Sequence, residues 1–213
     1  ERPLATYASM VTRLDRYVGE IMDLVDSLGI ADHTMIVFTS DNGSHKHGGT
    51  NPEYFKSYGP SRGMKQELYE GCLHIPLIIS CPGMVAQGVD NNHLMAFWDM
   101  MPTFAELIGT ELQVKSDGIS FLPTLTGKTG QIEHNYLYWE YHEKDGKQAV
   151  REGSWKGIIQ HVGTPAQHFE LYDLSVDPHE DHDVSDMYPG VVGHLQQLID
   201  HCHIDSDLFN FGR

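Results

Sequence analysis

The feature that most constrains this chain is the run over residues 35–43, Met-Ile-Val-Phe-Thr-Ser-Asp-Asn-Gly. Its β-branched and aromatic residues predict a strand buried on both faces, which ends abruptly at Asp41 and Asn42. In open α/β sheets, ligands bind at the carboxyl ends of such strands. We therefore interpret Asp41 and Asn42 as oxygen donors for a hard cation such as calcium. A plain turn is the alternative, because Asp-Asn-Gly is itself a strong turn signal and calcium takes roughly six to eight oxygens.

Composition limits the classes of function that the chain can have. Its 213 residues can bury a core and fit one domain, or one domain with a small annex. The net charge of −16 argues against non-specific nucleic-acid binding. No apolar run approaches the roughly 20 residues of a membrane-spanning helix, so we expect no membrane span. Three cysteines without a CxxC pair argue against a disulfide framework or a zinc ribbon and leave one disulfide with one free thiol open.

Helical and strand patterns alternate in the first part of the chain, which is typical of an α/β layer. Apolar residues at three- and four-residue steps predict an amphipathic helix over residues 5–28. Apolar strands are predicted over residues 35–39 and 75–80, and a short helix over residues 100–108. The glycine- and histidine-rich loop over residues 43–63 is unusually long for a compact domain, and such loops are often functional.

The sequence texture changes after residue 135. Four short strand-like runs separated by glycine or polar turns predict an antiparallel meander. Residues 191–199 then predict a closing helix. We therefore divide the chain into residues 1–130, an α/β part, and residues 131–213, a small antiparallel β subdomain with its helix.

Four further side chains could contact an anion. Lys65 could bring positive charge to it from the end of the long loop, although a solvated surface lysine is the ordinary alternative. Arg62 has the same ambiguity, with a fork that suits a tetrahedral oxyanion. His45 and His47 are spaced for a metal on an extended strand, but no third soft ligand lies nearby, so we favour a substrate contact for His45. His142 is a candidate substrate contact, although its aromatic neighbours more often indicate packing than a site.

Taken in order, these motifs resemble the sulfatase family. The resemblance begins with Ser40-Asp41-Asn42-Gly43, Gly63-Met64-Lys65 and Tyr69-Glu70-Gly71, followed by a strand and Pro82-Gly83. Later landmarks extend it over essentially the whole chain: Met101-Pro102-Thr103-Phe104, Asp117-Gly118-Ile119-Ser120, Gln148-Ala149-Val150-Arg151 with Trp155-Lys156, and Leu171-Tyr172-Asp173-Leu174. Each motif alone is weak, and their order and spacing carry the resemblance. Cys72 and His74 stand where the family commonly has glycine and arginine.

The resemblance implies the C-terminal part of an alkaline-phosphatase-like α/β/α sandwich, followed by a small antiparallel β subdomain with a closing helix. It implies that Asp41 and Asn42 are metal ligands, usually for calcium with magnesium as the alternative, and that Lys65 contacts the sulfate group. The family's nucleophile is a formylglycine made in a Cys/Ser-x-Pro/Ala-x-Arg motif, which this sequence lacks. We therefore expect a sulfuric ester hydrolase whose N-terminal half is missing here and which is inactive alone.

The same resemblance suggests a small-molecule or carbohydrate sulfate ester as substrate and a periplasmic or secreted location. The missing N-terminal half is the expected partner, and self-association through uncovered apolar surface is a further expectation. Two alternatives stay open: a phosphatase or phosphodiesterase with the same metal-site logic, and a non-catalytic binding module that kept the fold. A serine or threonine nucleophile upstream, without the formylglycine motif, would favour the phosphatase.

Overall fold

The computed structural model describes residues 2–209 and residue 211. Its contacts divide the chain into two compact units, each made of segments that are separate in the sequence. The first unit contains the residues up to 41, then 47–50 and 76–134, and the second contains 42–46, 51–75 and the residues from 135 onward. The subdomain boundary near residue 130 stays a prediction.

The first unit begins with a long helix. Helix α1 spans Pro3–Ser27, as the apolar periodicity predicts, and Gly29 follows it with a left-handed φ of 66°. Strands β1 (Ile36–Thr39) and β2 (Leu77–Ser80) then form an antiparallel two-stranded sheet. Both predicted strands are therefore present, and Asp41 lies two residues after the end of β1.

Strand β1 is not buried on both faces, so that expectation is wrong. All four of its residues are half-buried, because in the described part of the chain β2 is its only neighbour in the sheet. Helix α1 likewise has no buried residue between Pro3 and Ser27. Its apolar side chains stand exposed at helical spacing: Met10, Leu14, Tyr17, Ile21 and Leu24. The first unit thus leaves an apolar helix face uncovered.

A buried carboxylate organises the rest of the first unit. Helix α4 (Met100–Leu107) forms as predicted and begins after Asp99, which is 1% exposed. The Asp99 carboxylate accepts the backbone N–H of Ala96 at 2.7 Å and that of Ile119 at 2.8 Å, and it lies 2.8 Å from His134 Nε2. These bonds satisfy the buried charge and fasten the residues before α4 to those around position 119.

The loop predicted over residues 43–63 is not entirely irregular. It contains a 3₁₀ turn, His47–Gly49, and the short helix α2, Pro52–Phe55. The Asn51 side chain caps α2 by accepting the N–H groups of Glu53 at 3.0 Å and Tyr54 at 3.2 Å. The Asn-Pro pair therefore starts a helix, because asparagine is a good N-cap and proline fits the first helical turn.

The second unit is built on a four-stranded antiparallel meander, as predicted. Its strands follow one another in chain order: β3 Leu137–Tyr141, β4 Lys147–Glu152, β5 Trp155–Gln160 and β6 His168–Asp173. The closing helix is longer than predicted, from Pro189 to Cys202, and is labelled α6. Two short helices complete the list of helical elements: α3, Glu70–Leu73, in the second unit, and α5, Leu122–Leu125, in the first.

Alternate residues of this sheet face two different layers. On one face, Val150 and Leu171 pack with Leu195 and Ile199 of α6. On the other face, Ala149, Ile158 and Tyr172 pack with Leu68, and Tyr69 and Leu73 lie against the same cluster. The segment over residues 62–73, which contains Lys65, is therefore seated on the C-terminal sheet.

Two findings concern the chain more widely. Cys72, Cys81 and Cys202 are all free thiols, the first two of them buried, so the disulfide that the sequence left open is not formed. Among the residues described, no helix combines the length and the apolar character needed to cross a bilayer.

Candidate functional site

The turn after β1 is held by backbone and amide hydrogen bonds. Asp41 is exposed and Asn42 is half-buried. The Asn42 side-chain nitrogen donates to the Gly43 carbonyl oxygen at 2.9 Å, and the Gly43 N–H donates to the Cys72 carbonyl oxygen at 2.8 Å. The Asn42 amide is thereby oriented on a turn that is anchored to residues 70–73.

Lys65 reaches the same turn through its backbone. Its N–H donates a hydrogen bond of 2.7 Å to the carbonyl oxygen of Ser44, two residues after Asn42. The Lys65 side chain is exposed, and no group in residues 2–209 or at 211 forms an ion pair or hydrogen bond with its ammonium. The structure therefore places the Lys65 backbone beside the turn that carries Asn42, and the role of the Lys65 ammonium stays a prediction.

Two glycines allow these segments to touch. A Cβ on Gly43 would lie 1.9 Å from the carbonyl oxygen of Gly71, and a Cβ on Gly71 would lie 2.4 Å from that of Arg62. The Gly71 N–H also donates to the Arg62 carbonyl oxygen at 2.7 Å. Backbone therefore packs directly on backbone across residues 42–44, 62–65 and 70–72, so that a shift of one segment displaces the next.

Arg62 is engaged with two tyrosines. Its guanidinium carbon lies 4.0 Å from the centre of the Tyr69 ring, and its Nη2 donates to the Tyr172 hydroxyl at 3.1 Å. Both tyrosine hydroxyls donate to Glu170, at 2.8 and 3.1 Å. Burial, and then the bond to Glu170, raise the pKa of Tyr69 well above its usual range, so it stays neutral. This arrangement suits a cation that fastens the 62–73 segment to β6, and the predicted substrate contact by Arg62 stays a prediction.

The two histidines lie in different surroundings. His45 is exposed in the turn that follows Asn42, within the segment that Lys65 contacts. His142 Nε2 lies 2.7 Å from Glu140 Oε2, and the other oxygen of Glu140 lies 2.6 Å from His203 Nδ1. His142 also meets the Phe211 ring edge to face, with ring centres 4.2 Å apart. Its aromatic setting is thus a packed cluster with the C-terminal residues, and the substrate contacts proposed for both histidines stay predictions.

The residues present fit one side of a cation site. Asp41 and Asn42 offer a carboxylate and an amide, which suit a hard cation. Within residues 2–209 and at 211, however, no three or more His, Cys, Asp or Glu side chains converge closely enough to hold a metal.

Sequence reasoning missed a buried charge cluster beneath α3. Lys156 Nζ lies 2.8 Å from Glu70 Oε1 and 2.9 Å from Glu180 Oε1, and Arg151 Nη1 lies 3.0 Å from Glu70 Oε2. The Lys156 and Glu180 side chains are fully buried. The signal that could have found it is a lysine at a strand position whose neighbours on the same face, such as Ile158, are core residues.

Comparison with known proteins gives two family matches. A family model described as sulfatase matches residues 1–110. A second, described as N-sulphoglucosamine sulphohydrolase, C-terminal, matches residues 64–203. Together they match residues 1–203, which include parts of both units.

Individual relatives agree with these matches. The chain is 31% identical to an N-acetylgalactosamine-6-O-sulfatase of Bacteroides thetaiotaomicron, with 92% of this chain and 42% of the relative aligned. It is also 31% identical to human arylsulfatase A, with 90% of this chain aligned. The chain spans 42% of the length of each of these relatives.

Two solved structures support the fold class. The structure of BT4656 in complex with its substrate D-glucosamine-2-N,6-O-disulfate aligns with a TM-score of 0.72 at 26% identity, over 90% of this chain and 38% of that one. The crystal structure of Ps i-CgsB aligns with a TM-score of 0.77 at 27% identity, over 94% of this chain and 43% of that one. The predicted C-terminal part of an alkaline-phosphatase-like α/β fold is confirmed.

Proposed function

The chain belongs to the sulfatase family, and we propose that it supplies the C-terminal part of a sulfuric ester hydrolase site. In this proposal Asp41 and Asn42 bind the divalent metal, and Lys65 contacts the sulfate group. The observation that carries it is the 2.7 Å hydrogen bond from the Lys65 N–H to Ser44, which ties the lysine to the turn that bears Asn42.

Lys65 has a simple electrostatic task in this site. Its ammonium offsets the negative charge on the sulfate oxygens. As the sulfur–oxygen bond breaks, negative charge also develops on the oxygen of the leaving alcohol. A metal held with the help of Asp41 and Asn42 supplies Lewis-acid polarisation of the sulfate oxygens. Asp41 and Asn42 act as ligands and transfer no proton. The fixed turn that carries Asn42 keeps its amide in place before substrate arrives, which lowers the reorganisation needed during the reaction.

The nucleophile is proposed to come from an N-terminal part with the formylglycine motif, because this sequence has none. The relatives' length supports this division, since the chain spans 42% of each of two of them. Calcium is the proposed metal, with magnesium as the alternative. A sulfated carbohydrate is the proposed substrate, because one relative is a carbohydrate sulfatase and one structural neighbour holds a sulfated glucosamine. A periplasmic or secreted location is part of the same proposal.

Complementation tests this proposal. The chain is produced together with an N-terminal sulfatase segment that carries the Cys/Ser-x-Pro/Ala-x-Arg motif, in cells that convert its cysteine to formylglycine. Hydrolysis of 4-nitrophenyl sulfate is then measured for both parts together and for this chain alone. We expect turnover only from the two parts together, and a loss of about 10²- to 10³-fold in Lys65→Ala.

Lys128→Ala is the matched control, because Lys128 is also an exposed lysine but belongs to the first unit, whereas Lys65 belongs to the second. It should leave turnover unchanged. Near-normal activity in Lys65→Ala would show that this lysine is not part of the site. Robust turnover by the chain alone would refute the proposal that the nucleophile comes from an N-terminal part. Faster cleavage of 4-nitrophenyl phosphate than of the sulfate would favour the phosphatase alternative.

A further inference from the structure

We propose that Lys156 is a positioning residue for the Asn42 turn, acting through Glu70 and Glu180 rather than by touching substrate. This inference deepens the proposed function and rests on it only for its link to catalysis. Its structural content, that a buried lysine of the C-terminal sheet holds the turn in place, stands on contacts within the second unit.

The cluster around Lys156 pairs two cationic side chains with two glutamates. Lys156 is 0% exposed and bridges Glu70 Oε1 at 2.8 Å and Glu180 Oε1 at 2.9 Å. Arg151 binds the second oxygen of Glu70 at 3.0 Å, so two cations face two carboxylates. Burial alone would raise the pKa of Glu70, but the charge and hydrogen bond of Lys156 lower it, so Glu70 is ionised at neutral pH. Removing Lys156 would leave a buried carboxylate pair without its shared cation.

The cluster hydrogen-bonds to the main chain as well as to side chains. The second oxygen of Glu180 accepts the backbone N–H of Glu70 at 2.7 Å. Glu70 is the first residue of α3, where helical N–H groups lack partners of their own. Lys156 therefore fixes Glu70 twice, directly through the carboxylate and indirectly through Glu180.

From Glu70 the contacts lead to the proposed metal ligand in two steps. The next residue, Gly71, has its carbonyl oxygen against Gly43, where a Cβ would come within 1.9 Å. The following residue, Cys72, accepts the Gly43 N–H at 2.8 Å. Gly43 directly follows Asn42, whose side-chain amide donates to the Gly43 carbonyl at 2.9 Å. Movement of α3 therefore moves the Asn42 amide, because no side chain lies between these backbones to absorb it.

Stability alone does not account for this arrangement. Buried ion clusters are often replaceable by apolar side chains of similar volume without loss of stability. The position of Lys156 on the sheet face beneath α3 gives the charged cluster something that an apolar residue cannot provide: two directed bonds to the residue that starts the helix. We therefore expect the effect of its removal to be concentrated at the Asn42 turn.

Amide hydrogen exchange on the 213-residue chain tests the structural content without requiring activity. In Lys156→Met, the N–H groups of Gly43 and Gly71 should exchange about tenfold faster or more, relative to amides of β4 and β5 in the same sample. Gln148→Met is the matched control, because Gln148 is also a buried polar residue of the sheet but lies on the opposite face and bonds to Tyr138. In the control, Gly43 and Gly71 should show no selective change.

The outcomes separate positioning from general destabilisation. Selective acceleration at Gly43 and Gly71 supports the proposal. Unchanged exchange there, or equal acceleration throughout the sheet, overturns it. Should Lys156→Met fail to fold, Glu180→Gln provides the same comparison, because it keeps the Lys156–Glu70 pair and weakens the grip on the Glu70 N–H.

The effect of this cluster on catalysis is measured in the enzyme formed from the two complementing parts. There, Glu180→Gln should lower kcat for 4-nitrophenyl sulfate about tenfold with little change in KM, since a displaced metal ligand affects the transition state more than substrate binding. Selective exchange without a fall in kcat would overturn the catalytic link. Absence of any sulfatase activity in the wild-type pair would count against the proposed function, while the exchange experiment would still decide the positioning role.

Discussion

Gly43 and Gly71 touch so closely that a Cβ on the first would lie 1.9 Å from the carbonyl oxygen of the second. The contact joins the turn after β1 to the start of α3, and the Gly43 N–H completes it by donating to Cys72 at 2.8 Å. Neither glycine at this junction can take a side chain without moving backbone, because both contacted atoms are main-chain oxygens. The position of Asn42, a proposed metal ligand, therefore depends on the presence of glycine at position 43.

Gly43→Ala should lower the free energy of unfolding by about 3 kcal/mol, the upper part of the range for overpacking. Gly193→Ala is the control, because Gly193 lies within α6 and a Cβ there meets no atom within 4 Å. It should stabilise the chain by about 0.5–1 kcal/mol, since glycine is a poor helix former. Urea unfolding of both variants measures the difference. Equal stability of the two would contradict the tight contact seen at Gly43.

Arg62→Lys should lower the free energy of unfolding by about 1–2 kcal/mol. A lysine keeps the charge but cannot lie flat on the Tyr69 ring and donate to the Tyr172 hydroxyl together, as the guanidinium does. Arg16→Lys is the control: Arg16 forms an exposed ion pair with Glu20, so its replacement should change stability by less than about 0.5 kcal/mol. If both variants unfolded at the same urea concentration, Arg62 would not stabilise the fold through Tyr69 and Tyr172 as proposed.

The His203–Glu140 pair should make stability depend on pH. The hydrogen bond to Glu140 raises the pKa of His203. A raised folded-state pKa adds stability fully below the unfolded value of about 6.5, and this stability is lost as pH rises through the folded-state pKa. Wild type should therefore exceed His203→Gln in unfolding free energy by more at about pH 6 than at about pH 8.5.

The control for this experiment is His201→Gln, because His201 is exposed in the last turn of α6. Its replacement should leave the pH dependence of wild type intact. Tyr138 and His142 also face Glu140 from β3 and the residue after it, so the titration of His203 itself is followed by NMR. A His203 titration midpoint at or below about 6.5 would refute the prediction.

The uncovered face of α1 should make the isolated chain self-associate. Its exposed side chains, such as Leu14 and Ile21, form an apolar stripe on a helix without buried residues. Sedimentation velocity should show a molecular mass that rises with concentration, and Ile21→Gln should reduce this rise. Asp23→Asn, a polar change on the same helix, should not. A wild-type chain that stays monomeric at all concentrations would contradict this expectation.

Local pattern predicted the elements that are stabilised locally. Helix α1 and the β3–β6 meander were both predictable, because three- and four-residue periodicity and glycine turns act over short distances. Burial of β1 was not, since the same apolar run is buried only when other layers cover it, and in the described chain it pairs with β2 alone. The apolar run therefore identified a strand but not its surroundings.

The candidate site was predictable only in part. Family resemblance pointed to Asp41, Asn42 and Lys65, and the structure joins the last two through neighbouring backbone. The partners of Lys156 in the charge cluster were not predictable, because Glu70 and Lys156 are separated by 86 positions in the sequence and no short-range pattern links them. A lysine in a strand reads as surface until its carboxylate partners are known.

The second unit takes its residues from both sides of the predicted boundary near residue 130. Cutting the chain there would therefore not trim away an appendage. It would remove the sheet against which Leu68 and Tyr69 pack, near Lys65. It would also remove Arg151 and Lys156, the cations that pair with Glu70. Loss of the C-terminal sheet should thus displace the turn that carries Asn42.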